Sequence, residues 1–189
     1  MSGQQLVEDL IVEIKKIQAY TQSTIEPLSI EQLMQRPDPK RWSVLECVEH
    51  MNLSSGHYIS RLEKLFPQLE INAKVTADYS FKPGFLGEKF SVGILPKEDG
   101  TLSSTMKTFF FFEPKKATIK KNKSLEEFIQ MNQITIEMLE KARTINLNKG
   151  RITSTLGPWL RFKTGDALRF SIGHNTRHLM QIERVVNEL

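Results

Sequence analysis

The sequence predicts an all-α protein built as a four-helix bundle, and three observations carry this prediction. Four long segments repeat apolar residues at the three- and four-residue spacing of an amphipathic helix, and few segments show a strand pattern. The links between some of these segments are short, which favours antiparallel neighbours. The chain has 189 residues, enough for one well-buried domain and few for two, so we expect a single domain over residues 1–189.

The first two long helices are predicted on either side of a proline-rich segment. The first runs from about Gln4 to Ser23, and its apolar stripe includes Leu6, Leu10, Ile14 and Ile17. A short helical piece is expected after Pro27. The second long helix follows Ser43 and should stop at Pro67. Ser43 and Glu46 have the spacing of a capping box, in which each side chain bonds the backbone N–H of the other residue.

A long connection, residues 68–123, separates the second long helix from the third. Its prolines and glycines exclude a long element, although Phe85 to Phe90 predicts a short helix. Phe109 to Phe112 fits a helical turn or a strand equally well. We expect these phenylalanines to pack within the connection, with the lining of a cavity as the alternative. Its lysines, Lys115, Lys116, Lys120, Lys121 and Lys123, are interpreted as a solvated loop, with an anionic partner as the alternative.

The last two long helices complete the bundle. The third should begin at a second capping box, Ser124 and Glu127, and fade near Ile145. Residues 151–164 read as an irregular stretch. The fourth helix is predicted from about Asp166 to Asn187. Because the 68–123 connection is long, we predict that the second and third helices run parallel.

Composition excludes several classes of function. The net charge of +4 is mild and no helix carries a basic stripe with interleaved aromatics, so we expect no nucleic-acid partner. No run approaches the roughly 18 apolar residues that span a bilayer, and residues 1–9 do not resemble a secretory signal. The single cysteine, Cys47, excludes an internal disulfide and fits a reducing compartment. These observations predict a cytoplasmic protein with no membrane partner.

The histidines carry the strongest chemical signal. His174 and His178 lie four residues apart on the fourth helix, about 40° apart around its axis, so both rings can face one metal ion. His50 lies inside the second helix, where Cys47 and Ser54 suggest an inward face. A buried imidazole without a partner would be costly. We therefore predict that His50, His174 and His178 converge, with ring nitrogens about 3–4 Å apart, as an open three-histidine metal site.

The pattern of these residues resembles a known family. Trp42–Ser43–x–x–Glu46–x–x–x–His50, followed by His174–x–x–x–His178–x–x–Gln181–Ile182, is similar to the DinB-like superfamily of metal-binding helical bundles. Residues 28–42 and 157–162 extend the resemblance over most of the chain. The resemblance implies an up-down-down-up bundle with a crossover after the second helix. It also implies a divalent metal such as zinc, nickel or iron on His50, His174 and His178, and possible homodimers. Its characterised members include S-transferases that use bacillithiol or mycothiol.

Three further residues are candidates for the surroundings of the site. Glu46 is interpreted as the capping-box acid, with orientation of His50 as the alternative. Gln181 either supports a ligand or packs near the end of the helix. His57 lies seven residues after His50, about 10.5 Å along the axis, which is too far for one ion to bind both. It is expected either to line the cavity beside the metal or to be a hydrogen-bonded polar residue of the bundle.

Two hypotheses of function remain from the sequence. The first is a metal-dependent enzyme for a small-molecule substrate. It would be a transferase that activates a low-molecular-weight thiol, or a hydrolase that activates water. The second is a non-catalytic bundle that binds a ligand or partner and whose metal site is structural or vestigial. An accessible fourth coordination position favours the first, whereas a closed site favours the second.

Overall fold

Helices account for most of the structure, a computed structural model that describes residues 1–71, 79–95, 108–114, 119 and 122–189. The helices are α1 (Gly3–Tyr20), α2 (Ile30–Met34), α3 (Val44–Ile71), α4 (Phe85–Ile94), α5 (Asn122–Ala142) and α6 (Thr164–Val186). A π-helical turn, Thr21–Ile25, continues α1, and a 3-10 turn covers Phe110–Phe112. Strands β1 (Ile152–Ser154) and β2 (Gly157–Phe162) form one antiparallel pair.

The four long helices, α1, α3, α5 and α6, enclose the core. Helices α5 and α6 each pack against both α1 and α3. Each long helix buries one apolar stripe, and the fully buried side chains include Ile14, Met51, Leu139 and Ile182. No helix in the described part of the chain is long and apolar enough to cross a membrane.

Contacts between the helices show which ends meet. The Asn52 amide of α3 donates to the Ser124 carbonyl of α5 at 2.7 Å, and Gly56, one turn later, faces Met131. Along α3 and α6 the order is opposite, because Tyr58 meets Phe170 while the earlier His50 meets the later His174. The same stretch of α3 therefore faces both α5 and α6.

The start of α3 is fixed by the capping box that the sequence predicts. The backbone N–H of Ser43 donates to Glu46 at 2.9 Å, and the N–H of Glu46 donates to the Ser43 hydroxyl at 3.2 Å. Arg36 adds an ion pair at the same place, because its guanidinium bonds both carboxylate oxygens of Glu46. These bonds set the register of the first turns of α3, which carry His50.

The predicted end of this helix at Pro67 is wrong, because α3 continues through Pro67 to Ile71. A proline in a helix removes the N–H that would bond the carbonyl four residues earlier, here that of Glu63. Both Pro67 and Glu63 are exposed, so water can satisfy that carbonyl. Phe66 is buried and Leu69 partly buried, so the apolar face extends past the proline.

The prediction of an irregular stretch over 151–164 is also wrong, and the fold is therefore not purely helical. Strands β1 and β2 pair there, with Ile152 opposite Phe162, and both side chains are buried in the core. The paired run is short and has an irregular register after Thr153, so no sustained alternation marks it in the sequence. Gly157, at φ 148°, starts β2 in a conformation that favours glycine.

Two predictions near the long connection need correction. Helix α5 begins at Asn122, before the predicted cap Ser124, whose hydroxyl instead donates to the buried Glu49 at 2.7 Å. The short helix predicted at Phe85 extends to Ile94 and packs on α6. Lys115, Lys116, Lys120 and Lys121 lie outside the described residues, whereas Lys123 is exposed, as a solvated lysine should be.

Of the four adjacent phenylalanines, the last three, Phe110–Phe112, adopt a helical turn, one of the two conformations that the sequence leaves open. They are not the packed core of the connection, since Phe110 is 61% and Phe111 79% exposed. Phe109 and Phe112 line a cavity next to the histidine cluster, as the alternative interpretation proposes. The turn thus belongs to the surroundings of the site.

Candidate metal centre

The histidines of α3 and α6 meet in the interior. His50, His174 and His178 are all buried, and one ring nitrogen from each lies within 4.8 Å of the others. The Nε2 atoms of His50 and His174 are 3.0 Å apart, within the expected 3–4 Å. The antiparallel contact of the two helices brings together residues 124 positions apart in the sequence. In the described residues no other group of three or more His, Cys, Asp or Glu side chains converges in this way.

Hydrogen bonds on the outer side of two rings fix their orientation. Nδ1 of His50 lies 2.7 Å from the carbonyl oxygen of Phe112. A carbonyl only accepts, so this nitrogen carries the proton and Nε2 keeps its lone pair. Nδ1 of His178 similarly lies 3.0 Å from Oε1 of Gln181, three residues along α6. Both Nε2 lone pairs are then available at the centre of the cluster.

Burial keeps the three rings neutral. It lowers the pKa of His50, lowers that of His178 to about 3, and lowers that of His174 well below its ordinary value. The neighbouring imidazoles add to this effect for His174 and His178. Neutral imidazole is the form that binds a metal, so the cluster needs no deprotonation at neutral pH.

His174 differs from the other two rings on its outer side. Its Nδ1 is buried, and no hydrogen bond of normal geometry reaches it from the described residues. The nearby Asn175 side chain raises its pKa only enough to offset a small part of the effect of burial. When Nε2 of His174 binds a metal, its Nδ1 carries the proton, and this N–H is only partly satisfied. The orientation of the cluster therefore depends on the bonds of His50 and His178.

One side of the cluster opens on a cavity of about 360 Å³. Trp42 forms part of its wall, with its ring centroid 5.1 Å from that of His50 and 6.3 Å from that of His178. Further walls come from Phe112 in the 3-10 turn and Thr155 in the hairpin. This volume suits a small molecule, at the lower end of the range for ligand pockets.

A family model described as the DinB superfamily matches residues 13–182, which is most of the chain and includes all three histidines. The chain belongs to the DinB superfamily. No curated protein and no solved structure matches it. Membership and the three-histidine cluster together fit a metal-binding protein of DinB type.

The fourth histidine of this DinB-superfamily chain has a different environment. His57 places Nε2 2.7 Å from the carbonyl oxygen of Thr153, so it donates a hydrogen bond to the hairpin. Its ring packs edge-on against Tyr58 and Phe112 and does not line the cavity. Of the two expectations for His57, the geometry matches the hydrogen-bonded polar residue.

The remaining candidate residues also differ in whether they contact a histidine of the cluster. Gln181 lines the cavity and bonds His178. Glu46 is occupied by Arg36 and Ser43, and the partner of His50 is instead the Phe112 carbonyl. Cys47 is fully buried, and burial raises the pKa of its thiol far above the ordinary value, so it is inert packing.

Sequence reasoning missed two contributors to the site. The Phe112 carbonyl lies 62 positions from His50, and no local sequence pattern predicts that a backbone oxygen will bond a histidine. Trp42 stands in the family motif, yet its position just outside the helix cap suggests only packing at the helix start. Its contacts with two of the histidines depend on α6, which approaches it from the far end of the sequence.

Proposed function

We propose that this protein is a metal-dependent enzyme that activates a low-molecular-weight thiol and joins it, through its sulfur, to an electrophilic small molecule. Nε2 atoms of His50, His174 and His178 would hold a divalent metal, either zinc, nickel or iron. The observation that carries the proposal is the open side of the cluster. Three protein ligands facing a cavity leave a coordination position for a substrate, whereas structural zinc sites are closed by four.

The residues present fit such a metal. The three imidazoles are neutral, two are oriented from outside, and their nitrogens face one point. A bound metal would lower the pKa of a thiol at the open position and so supply thiolate at neutral pH. Phe112 and Gln181 would hold the rings in place during turnover. Trp42 covers one side of the cluster and limits the access of water.

Two alternatives are less well supported. A hydrolase would need a base for water, and no Asp or Glu of the described residues lines the cavity. A non-catalytic bundle with a structural site is expected to close around its metal, yet this cluster opens on a cavity. The thiol transferase is therefore the function that the geometry supports best.

The test is the conjugation of a thiol to an electrophile by the metal-loaded protein. Zinc-, nickel- and iron-loaded samples are mixed with a thiol and 1-chloro-2,4-dinitrobenzene. The sulfur attacks the ring carbon, a C–S bond forms, chloride leaves, and the thiol proton passes to solvent. We expect a rate that EDTA abolishes, that His50→Ala loses and that His57→Ala retains. Stoichiometric metal binding without transfer for any thiol and electrophile tried would favour the non-catalytic alternative.

We also propose the up-down-down-up order for the four long helices. The contacts of Asn52 with Ser124 and of Gly56 with Met131 support parallel α3 and α5, because both pairs advance in the same direction. A homodimer and a cytoplasmic location remain predictions. Light scattering at high concentration tests the first, and a monomer there would contradict it.

A further inference from the structure

The cavity beside the histidine cluster has two ends of different character. Its direction follows from the helices, because α3 runs from Trp42 past His50 to Tyr58 while α6 runs the opposite way beside it. At the start of α3, Trp42 is accompanied by charged and polar side chains from the segment before α3 and from the end of α6. We call this the Trp42 end, and these side chains are Lys40, Arg41, Gln181 and Arg184.

The other end lies beyond His50 along α3 and is mostly apolar. Ser54 follows His50 by one turn on the same face of α3, and Tyr58 follows Ser54 by another turn. The hairpin covers α3 at that level, because the hydroxyl of Tyr58 lies 3.3 Å from that of Thr155. We call this the Ser54 end, and six uncharged residues line it, namely Ser54, Ile94, Phe109, Phe112, Thr155 and Leu156.

Helix α4 and the 3-10 turn supply the apolar walls of the Ser54 end. Ile94 lies against Gly173 of α6, which precedes the histidine pair in the sequence. Phe109 lies beside the start of β2, and Phe112 packs edge-on against His57. All three contacts are on the side of the cluster away from Trp42. The histidines therefore face an apolar space on this side.

One polar group of the Ser54 end lacks a partner. The side chain of Ser54 is only 1% exposed, and its hydroxyl makes no hydrogen bond with any described residue. A helical hydroxyl often bonds the carbonyl four residues earlier, as Thr135 does with Met131, but that of Ser54 does not. The adjacent Ser55 is also buried and pairs with Asn175 at 3.4 Å. A buried hydroxyl without a partner is costly, so a molecule that enters the cavity is the partner we infer for Ser54.

We propose that the Ser54 end binds the apolar part of an uncharged small molecule, and that the Ser54 hydroxyl donates a hydrogen bond to an acceptor oxygen of that molecule. The inference rests on the proposed function for the role of this molecule, which is the electrophile that receives the thiol. An apolar cavity of about 360 Å³ with a single placed donor is typical of a site for a small ligand. The substrate class is therefore an apolar carbonyl or nitro compound.

The first experiment measures the binding of two neutral aromatic probes to the metal-free protein. Acetophenone and ethylbenzene have similar shapes, but only acetophenone has an acceptor oxygen. Ligand-observed NMR gives both dissociation constants for the native protein and for Ser54→Ala. Their ratio is compared between the two proteins, so the different solubilities of the probes cancel. We expect Ser54→Ala to weaken acetophenone about three- to tenfold and to leave ethylbenzene within about twofold.

Two further substitutions have matched controls. Ser91→Ala should leave the ratio unchanged, because Ser91 is a buried serine that bonds the Asp166 carbonyl and does not line this cavity. Leu156→Ala removes part of the apolar wall and should weaken both probes by at least about threefold. Its control is Leu160→Ala, a partly buried leucine of the same hairpin that lies outside the cavity lining.

Thermal unfolding separates a role in binding from a role in the fold. Ser54→Ala removes a hydroxyl that has no partner in the described part of the chain, so the melting temperature should stay the same or rise. Ser55→Ala breaks the bond to Asn175 and should lower the melting temperature. A lower melting temperature for Ser54→Ala would show that its hydroxyl bonds the protein itself, and would overturn the proposal.

The probes contain no thiol and the protein contains no metal, so this inference and the proposed function can fail separately. A ratio that Ser54→Ala shifts, together with no metal-dependent conjugation, would defeat the proposed function and leave the Ser54 site standing. An unchanged ratio in Ser54→Ala would overturn the role of Ser54, whether or not conjugation occurs. Absence of binding for both probes up to their solubility limits would overturn the apolar site itself.

Discussion

His50 and His57 are two histidines on the same helix, seven residues apart, but only His50 belongs to the histidine cluster. In each ring one nitrogen donates a hydrogen bond of 2.7 Å to a backbone carbonyl, that of Phe112 for His50 and that of Thr153 for His57. The second nitrogen of His50 faces His174 at 3.0 Å, whereas the His57 ring packs against Tyr58 and Phe112. Burial lowers the pKa of both rings, so protonation does not separate them.

The difference comes from the elements that oppose α3 at each level. At His50 the opposing helix is α6, which supplies two more imidazoles and one wall of a cavity. At His57 the hairpin is opposite and offers a carbonyl oxygen. Residue type and helix face are therefore insufficient to assign a ligand. The residues that face a histidine from the neighbouring element decide whether it can be a metal ligand.

The largest expected effect separates the two histidines directly. His50→Ala should weaken metal binding by more than about 100-fold, beyond what the loss of an outer hydrogen bond causes. His57→Ala should leave the affinity within about threefold, because its ring lies outside the cluster. Competition with a chromophoric chelator measures both constants. Equal losses in the two variants, with both folded, would remove the distinction.

Gln181→Ala probes the orientation of His178. Its Oε1 lies 3.0 Å from Nδ1 of His178, and loss of such an outer partner costs about 10–100-fold in metal affinity. The control is Gln133→Ala, whose exposed side chain bonds Glu137 on α5. If both glutamine variants bound metal as tightly as the native chain, Gln181 would only be packing near the cavity.

His57→Ala should change stability where His50→Ala changes binding. Removing the ring leaves the Thr153 carbonyl without its donor, which costs about 1–3 kcal/mol in free energy of unfolding when the group is buried. Urea denaturation of the metal-free protein measures it, with the exposed Glu63→Ala as the control. A fully stable His57→Ala variant would show that the hairpin does not depend on this bond.

The smallest effect concerns the anchor of α3. Burial by itself would raise the pKa of Glu46, but the Arg36 guanidinium and the Ser43 N–H outweigh it and lower the pKa overall. Arg36→Gln should cost about 1 kcal/mol at neutral pH, because the arginine is partly exposed.

The sign of the pH dependence follows from the lowered pKa. The pair stabilises the fold above the ordinary pKa of a glutamate, and this stability is lost as pH falls through the lowered pKa of the folded state. The difference between native and Arg36→Gln proteins should therefore shrink in acid. A difference that is constant across this range would contradict the role assigned to Glu46.

The sequence predicts the helical parts of this molecule well because their signals are local. The apolar stripes, the Ser43–Glu46 box and the four-residue spacing of His174 and His178 lie within a few turns of each other. The hairpin escapes prediction because its strands are short and pair with a shifted register. The contact of the Phe112 carbonyl with His50 and the cationic lining of the cavity could not be predicted, because they depend on segments far apart in the sequence.

The most direct test is a Co(II) titration of metal-free native, His50→Ala and His57→Ala proteins, followed by addition of a thiol. We predict a sharp end point at about one equivalent for the native protein and for His57→Ala, and none for His50→Ala. Added thiol should then change the Co(II) spectrum, because one coordination position is open. Tight binding that survives His50→Ala, or a spectrum that no thiol alters, would contradict an open site made by His50, His174 and His178.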